Sequence, residues 1–156
     1  PAGPLREKLS EIKNYDIAFI IGSSRNNKIK KKIKKINSKI KVFEATYEPE
    51  NLKKFNRDRN FLMFCGIGNP HEFEKTLLKF NFKIKKKIIF PDHYNYKNSD
   101  IKNINKIAKS NKLKIVTSEK DYNRLSNIQR KNFQYLKIEL KIENQMQFKN
   151  FLIKRI

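Results

Sequence analysis

The chain has 156 residues, a formal net charge of +22 and a single cysteine. That length suits one core of ordinary size, and a lone cysteine excludes an internal disulfide framework. No apolar run approaches the roughly 18 residues that a membrane-crossing helix needs, and no secretory-type apolar region is present.

Read in chain order, Pro1-Ala2-Gly3-Pro4 looks like the middle of a loop, so the chain is expected to begin partway through a longer one. Residues 1–15 are taken as a connecting segment and 16–156 as one α/β lobe. Asp16 to Ile21 is a short apolar run stopped by Gly22, the pattern of a buried strand. Ile29, Ile33, Ile36 and Ile40 recur at helical spacing within a lysine-rich stretch, predicting a helix over 28–39 with a solvated outer face. Ile40 to Tyr47 alternates apolar and polar residues as a strand does. Phe61 to Cys65 is the most apolar strand candidate and runs into Gly66-Ile67-Gly68-Asn69-Pro70. There Asn69 is placed to cap a helix whose first residue is Pro70, with Phe73, Leu77, Leu78 and Phe80 on its apolar face.

The next strand is expected over 82–90, ending at Pro91. Ser99 or Asp100 then caps a helix to Ser110, with Ile101, Ile104, Ile107 and Ala108 facing inward. Leu113 to Thr117 reads as a strand, Ser118 as the cap of a short helix, Tyr135 to Leu140 as a final strand and Gln145 to Ile153 as a closing helix. Alternating strands and helices predict a three-layer α/β sandwich around a mainly parallel sheet. Ligands of such sheets sit beyond the carboxyl ends of the strands. The loops at 65–70, 90–96 and 117–121 all follow strand ends, so they are expected to line one cleft.

The charge has two readings. A strong positive excess ordinarily points to a polyanionic partner, nucleic acid or an anionic membrane. Here, however, 30 Lys, 21 Ile and 19 Asn make up 70 of the residues. All three use AT-rich codons, so composition alone accounts for much of the excess. Arg, the better bidentate phosphate ligand, is scarce at 7.

Chemistry-bearing residues concentrate between Phe64 and Tyr96, which hold both histidines, the cysteine, two of the four glycines and two of the five prolines. Gly66 to Pro70 joins a strand to a helix amino terminus, which suits either a tight turn or an anion loop. It lacks the spacing of a Walker A loop or of the dinucleotide fingerprint. Asp92 adjoins His93 just after a strand, and a carboxylate beside an imidazole suits a proton relay or a surface hydrogen bond. His71 reads as solvated. Glu119 and Asp121 complement the helix dipole, and Lys120 is a candidate phosphate contact. Two histidines and one cysteine without close spacing make no zinc site, so no metal ligand is assigned.

Taken in order, Pro1-Ala2-Gly3-Pro4-Leu5-Arg6-Glu7, Phe64 to Pro70 with Phe73, Phe90-Pro91-Asp92-His93-Tyr94 and Thr117-Ser118-Glu119-Lys120-Asp121 resemble the tetraacyldisaccharide 4'-kinases of lipid A biosynthesis. The resemblance runs over essentially the whole chain and matches the carboxyl-terminal half of that family. It implies two α/β lobes, this chain being like the carboxyl-terminal lobe of a P-loop-type kinase. It also implies transfer of the ATP γ-phosphate to the 4'-hydroxyl of tetraacyldisaccharide 1-phosphate, giving lipid IVA. The implied cofactors are ATP and Mg2+, and the implied place is the anionic cytoplasmic face of the bacterial inner membrane.

By resemblance His93 belongs to the catalytic relay, with an Asp of the preceding half as its partner, and Asp92 orients its loop. Arg6 approaches phosphates or the lipid headgroup. Gly66, Gly68, Asn69, Glu119, Lys120 and Asp121 shape the substrate cleft. Ser118 and His71 take no role. The family's P-loop and acidic magnesium-binding segment precede the Pro-Ala-Gly-Pro motif, and no Gly-Lys-Ser/Thr run occurs in this chain. ATP and Mg2+ are therefore expected to be held mainly by that other half, and this chain alone is expected to be inactive. The competing expectation is a small basic nucleic-acid-binding protein, but no nucleic-acid signature supports it. A lobe that keeps the fold without the activity is the third.

Overall fold

A computed structural model describes residues 7–22 and 27–154. After a 3-10 turn at Leu9–Asn14 come β1 (Ile17–Ile21), α1 (Asn27–Ile36), β2 (Lys41–Pro49), β3 (Asn60–Cys65) and α2 (Pro70–Lys79). Next are β4 (Lys83–Ile89), α3 (Asn98–Ser110), β5 (Lys114–Ser118), α4 (Glu119–Arg124), β6 (Phe133–Leu136), β7 (Ile138–Ile142) and α5 (Gln145–Ile153). Contacts group these elements into two units, one of Pro49–Ile138 and one of Pro1–Glu48 with Glu139–Ile156.

The 49–138 unit is a three-layer sandwich. Its four strands run parallel in the order β4-β3-β5-β6. Central β3 is buried from Phe61 to Cys65, because a parallel strand covered on both faces needs apolar side chains at every position. Phe61, Met63 and Cys65 pack on one face with Phe73 and Leu77 of α2 and with Phe55 and Phe82. Leu62 and Phe64 pack on the other with Ile101, Ile104 and Ala108 of α3.

Both helices stop the same way. Asn81 and Lys112 take positive φ, and the next amides, of Phe82 and Leu113, return to the carbonyls of Leu77 and Ala108 at 3.0 and 2.8 Å. β4 borders the sheet and carries exposed Lys83, Lys85, Lys86 and Lys87. Charged side chains along an edge oppose strand addition by another chain.

In the other unit the sheet order is β1-β2-β7, with β1 and β2 parallel from Ile17↔Lys41 to Ile21↔Ala45. Ile33 of α1 packs with Ile20 and Ile40, leaving the lysines of α1 outward. Asn37 fixes the turn into β2: its amide donates to the carbonyls of Ile12 and Tyr15, and its Oδ1 accepts from Lys39 and Ile40. Phe148 of α5 meets Phe19 and Phe43 edge-on at 5.2 and 5.0 Å.

The α/β class and the parallel sheet agree with the sequence reading, and most elements fall within two residues of expectation. Three details differ. The strands form two sheets rather than one. The strand expected over 135–140 is two, β6 and β7, in different sheets, because the Lys137 amide donates to Asn51 Oδ1 at 3.0 Å instead of extending a ladder. And α3 is capped at Lys97, whose amide donates to the Asp100 carboxylate at 2.8 Å. Asp100 is thus the third helical residue reaching back, not the cap itself.

Cys65 ends β3 fully buried. Burial, with the Asp121 charge adding to it, raises its thiol from an ordinary value near 9 to about 11. Between those values the folded chain keeps a proton that the unfolded chain has lost, so this thiol's contribution to stability falls as pH rises. A thiol reagent at about pH 8 is expected to leave Cys65 unmodified in the folded chain and to react readily once urea opens it. Equal rates in both states would contradict the burial.

Candidate active site

Three loops leave the carboxyl ends of β3, β4 and β5 and meet over the sheet. The first is set by Asn69, whose Oδ1 accepts from the Glu72 amide at 3.1 Å, with Pro70 beginning α2 where no amide donor is required. Ahead of that cap the chain passes so close to the second loop that only glycine fits well. A Cβ on Gly66 would lie 3.0 Å from the Pro91 carbonyl oxygen, 3.1 Å from the Tyr96 hydroxyl and 3.2 Å from Tyr94 Cβ. At Gly68 the near neighbour is the Asp92 carboxylate at 3.1 Å.

These two surroundings predict different costs. Gly66→Ala presses on backbone and packed rings and is expected to destabilise by about 1–3 kcal/mol. Gly68→Ala needs only a movement of the Asp92 carboxylate and is expected to cost under about 1 kcal/mol. Urea midpoints of the two variants would decide, and equal midpoints would remove the close-approach explanation.

The second loop is held by its aromatic residues. Phe90 stacks on Tyr94 at 4.8 Å and meets Tyr96 edge-on at 5.2 Å, while Tyr96 also meets Phe64 of β3. Between Phe90 and Tyr94 the chain turns through His93, whose φ of 60° is left-handed. A non-glycine residue there costs on the order of 1 kcal/mol, and such strain concentrates at functional sites. The His93 amide donates to the Gly66 carbonyl at 3.2 Å and to Asp92 Oδ1 at 2.9 Å. His93 Nε2 stands 3.9 Å from Asp92 Oδ2, with both side chains facing solvent.

The third loop is anchored by Asp121 of α4, which is entirely buried. Its carboxylate accepts from the Tyr96 hydroxyl at 2.9 Å, the Ser118 hydroxyl at 2.6 Å and Arg124 Nη1 at 3.3 Å. Ser118 Oγ in turn accepts from the Asp121 amide at 3.1 Å, capping α4. Burial, then the Asp121 charge, pushes the Tyr96 phenol far above its ordinary range, so Tyr96 remains a donor to that carboxylate. Arg124 also donates from Nη1 to the Gly66 carbonyl at 2.8 Å, and its Nη2 lies 3.2 Å from His93 Nδ1.

The structure therefore brings together Gly66, Gly68, Asn69, Asp92, His93 and Asp121. Asp121 needs a correction: with no exposed surface it cannot touch substrate or phosphate, and it shapes the site from beneath. Half-buried Glu119 and exposed Lys120 take no part in the hydrogen-bond network. Arg6 lies outside the described residues. Sequence reading missed Tyr96 and Arg124. The available signal for Arg124 was its place three residues after Asp121 on one helix, a spacing that pairs opposite charges.

What the site can do is limited by what it holds. It has an exposed imidazole beside a carboxylate, a guanidinium behind the ring and a helix amino terminus. Among the described residues there is no group of three or more His, Cys, Asp or Glu that could hold a metal, and no step is assigned to Mg2+. A cavity of about 840 Å3 between β2 and α5 is lined by residues such as Lys41, Phe43, Met146 and Lys154, with no His, Cys or carboxylate among its described lining residues. No described helix is long and apolar enough to cross a membrane.

Comparison with known proteins points the same way as the motifs. The family described as tetraacyldisaccharide-1-P 4'-kinase matches residues 1–156. The tetraacyldisaccharide 4'-kinase of Pelagibacter ubique is 38% identical over 155 residues, covering 99% of this chain and 49% of that protein. That of Rickettsia akari is 34% identical over 145 residues, covering 92% of this chain and 43% of its own length. The chain thus spans about half the length of the curated relatives it matches. A crystal structure of "apo" form LpxK from Aquifex aeolicus in complex with ATP shares the fold, with a TM-score of 0.61, 22% identity and coverage of 99% of this chain and 47% of that one. Since the family match takes in every residue from 1 to 156, this chain belongs to the tetraacyldisaccharide-1-P 4'-kinase family.

Proposed function

We propose that this chain forms the carboxyl-terminal part of a tetraacyldisaccharide 4'-kinase, acting on a lipid A disaccharide precursor. In the reaction the 4'-hydroxyl oxygen bonds to the γ-phosphorus of ATP, the bond from that phosphorus to its bridging oxygen breaks, and ADP leaves with the electron pair. The hydroxyl proton goes to a carboxylate–imidazole relay in which His93 is this chain's member. The observation carrying the proposal is the convergence of Gly66, Asp92, His93 and Asp121 from three separate loops at one end of the sheet.

ATP and Mg2+ belong on this reading mainly to residues outside this chain. The exposed lysines of α1 suit the anionic cytoplasmic face of the inner membrane as a peripheral docking surface.

The test is a chimera in which residues 1–156 replace the matching half of the Pelagibacter ubique relative. It is expected to phosphorylate the disaccharide 1-phosphate with ATP and Mg2+, whereas the 156-residue chain alone is not. Turnover by the isolated chain would refute the half-site reading. A folded chimera with no turnover, beside an active parent enzyme, would refute the kinase reading.

A further inference from the structure

Arg124 touches all three loops of the site. From α4 it donates to the Gly66 carbonyl at 2.8 Å and to the buried Asp121 carboxylate at 3.3 Å, and Nη2 reaches His93 Nδ1 at 3.2 Å. Its guanidinium is mostly covered, with 20% of the side chain exposed, while the His93 ring is 72% exposed. An exposed imidazole normally samples several rotamers and both neutral tautomers. Here its inner nitrogen faces a group that can only donate. Nδ1 must then be the acceptor, which leaves the ring proton on Nε2, the nitrogen turned outward beside Asp92. The fork geometry lets one guanidinium hold a carbonyl, a carboxylate and an imidazole at once, which a lysine ammonium could not reproduce.

We propose that Arg124 is a positioning residue that fixes the orientation and tautomer of His93, so that His93 presents an Nε2–H donor to its partner in the site. Its effect on turnover rests on the kinase reading above, whereas the contact itself does not. On that reading a carboxylate partner, oriented by the Nε2–H, is the group that takes the hydroxyl proton.

The test uses the 15N-labelled 156-residue chain, whose two histidines give an internal control in exposed His71. Imidazole 15N–1H spectra are recorded at about pH 8.5, where an ordinary imidazole is neutral. His93 is expected to show one tautomer, with Nδ1 unprotonated and shifted as a hydrogen-bond acceptor, while His71 shows the averaged pattern. In Arg124→Met the His93 nitrogens should move to the His71 pattern. Because that variant also loses a contact to Asp121, the reciprocal variant His93→Ala, at an exposed position, provides a second reading. The Arg124 guanidinium resonances should shift in it.

Unchanged His93 nitrogens in a folded Arg124→Met chain, or Arg124 signals indifferent to His93→Ala, would overturn the proposal. In the active chimera Arg124→Lys is expected to lower kcat at least about 10-fold with little change in KM. A raised KM with unchanged kcat would instead place Arg124 in binding and overturn the positioning role. A fixed ring in an inactive chimera upholds the positioning and removes the kinase reading, and an averaged ring in an active chimera does the reverse.

Discussion

Replacing Asp121 with alanine is expected to destabilise the 49–138 unit by about 3 kcal/mol. The buried carboxylate accepts from Tyr96, Ser118 and Arg124, and all three donors lose their acceptor together. Removing one member of a buried ion pair is costly because the other charge stays behind without compensation. Arg124 retains some exposure, which limits that cost. Asp121→Asn keeps the shape and one acceptor oxygen, so about half the loss is expected. The chain has no tryptophan, so urea unfolding would be followed by tyrosine fluorescence and far-UV circular dichroism. A midpoint for Asp121→Ala matching the parent would mean that the three donors find water or other partners, and that the site does not depend on this anchor.

The origin of that network explains which parts of the structure could be read from the sequence. Elements governed by local rules were legible. The unbroken apolar run from Phe61 to Cys65 marks a strand buried on both faces, Asn69-Pro70 marks a helix start, and Gln145 to Ile153 is both the expected and the observed helix. The meeting of three loops was legible too, since strand ends in a parallel sheet share one edge of the molecule. Features made by distant contacts were not. The break between β6 and β7 is imposed by Asn51, 86 residues before Lys137, and the alternating residues from Tyr135 to Leu140 carry no trace of it. Arg124 sits in a short helix with nothing unusual around it, and its meaning comes from Gly66, 58 residues earlier, and His93, 31 residues earlier. Asp121 read only as an acid favoured by the helix dipole, and its burial went unseen because helix-start preferences are blind to burial. Lysine abundance likewise hid a difference of role, since the lysines of β4 line a sheet edge and those of α1 cover a helix face.

Substitutions at His93 should separate stability from chemistry more cleanly than any other position. The residue holds φ at 60°, which glycine adopts without strain and asparagine tolerates better than most residues. His93→Gly relieves about 1 kcal/mol of backbone strain but frees the unfolded chain by a similar amount. Its thermal stability is therefore expected to stay within about 1 kcal/mol of the parent. His93→Asn keeps the turn and offers Arg124 an acceptor oxygen in place of Nδ1, but has no ring nitrogen facing outward. If His93 serves in the proton relay, both variants of the chimera should lose about 100-fold or more in kcat while remaining folded, the ordinary scale for a positioned acid–base group. If its place in the left-handed turn is the whole of its role, both should retain activity, and glycine should perform at least as well as asparagine. Turnover measured beside melting temperature distinguishes the two, because the first outcome moves only the rate and the second moves neither.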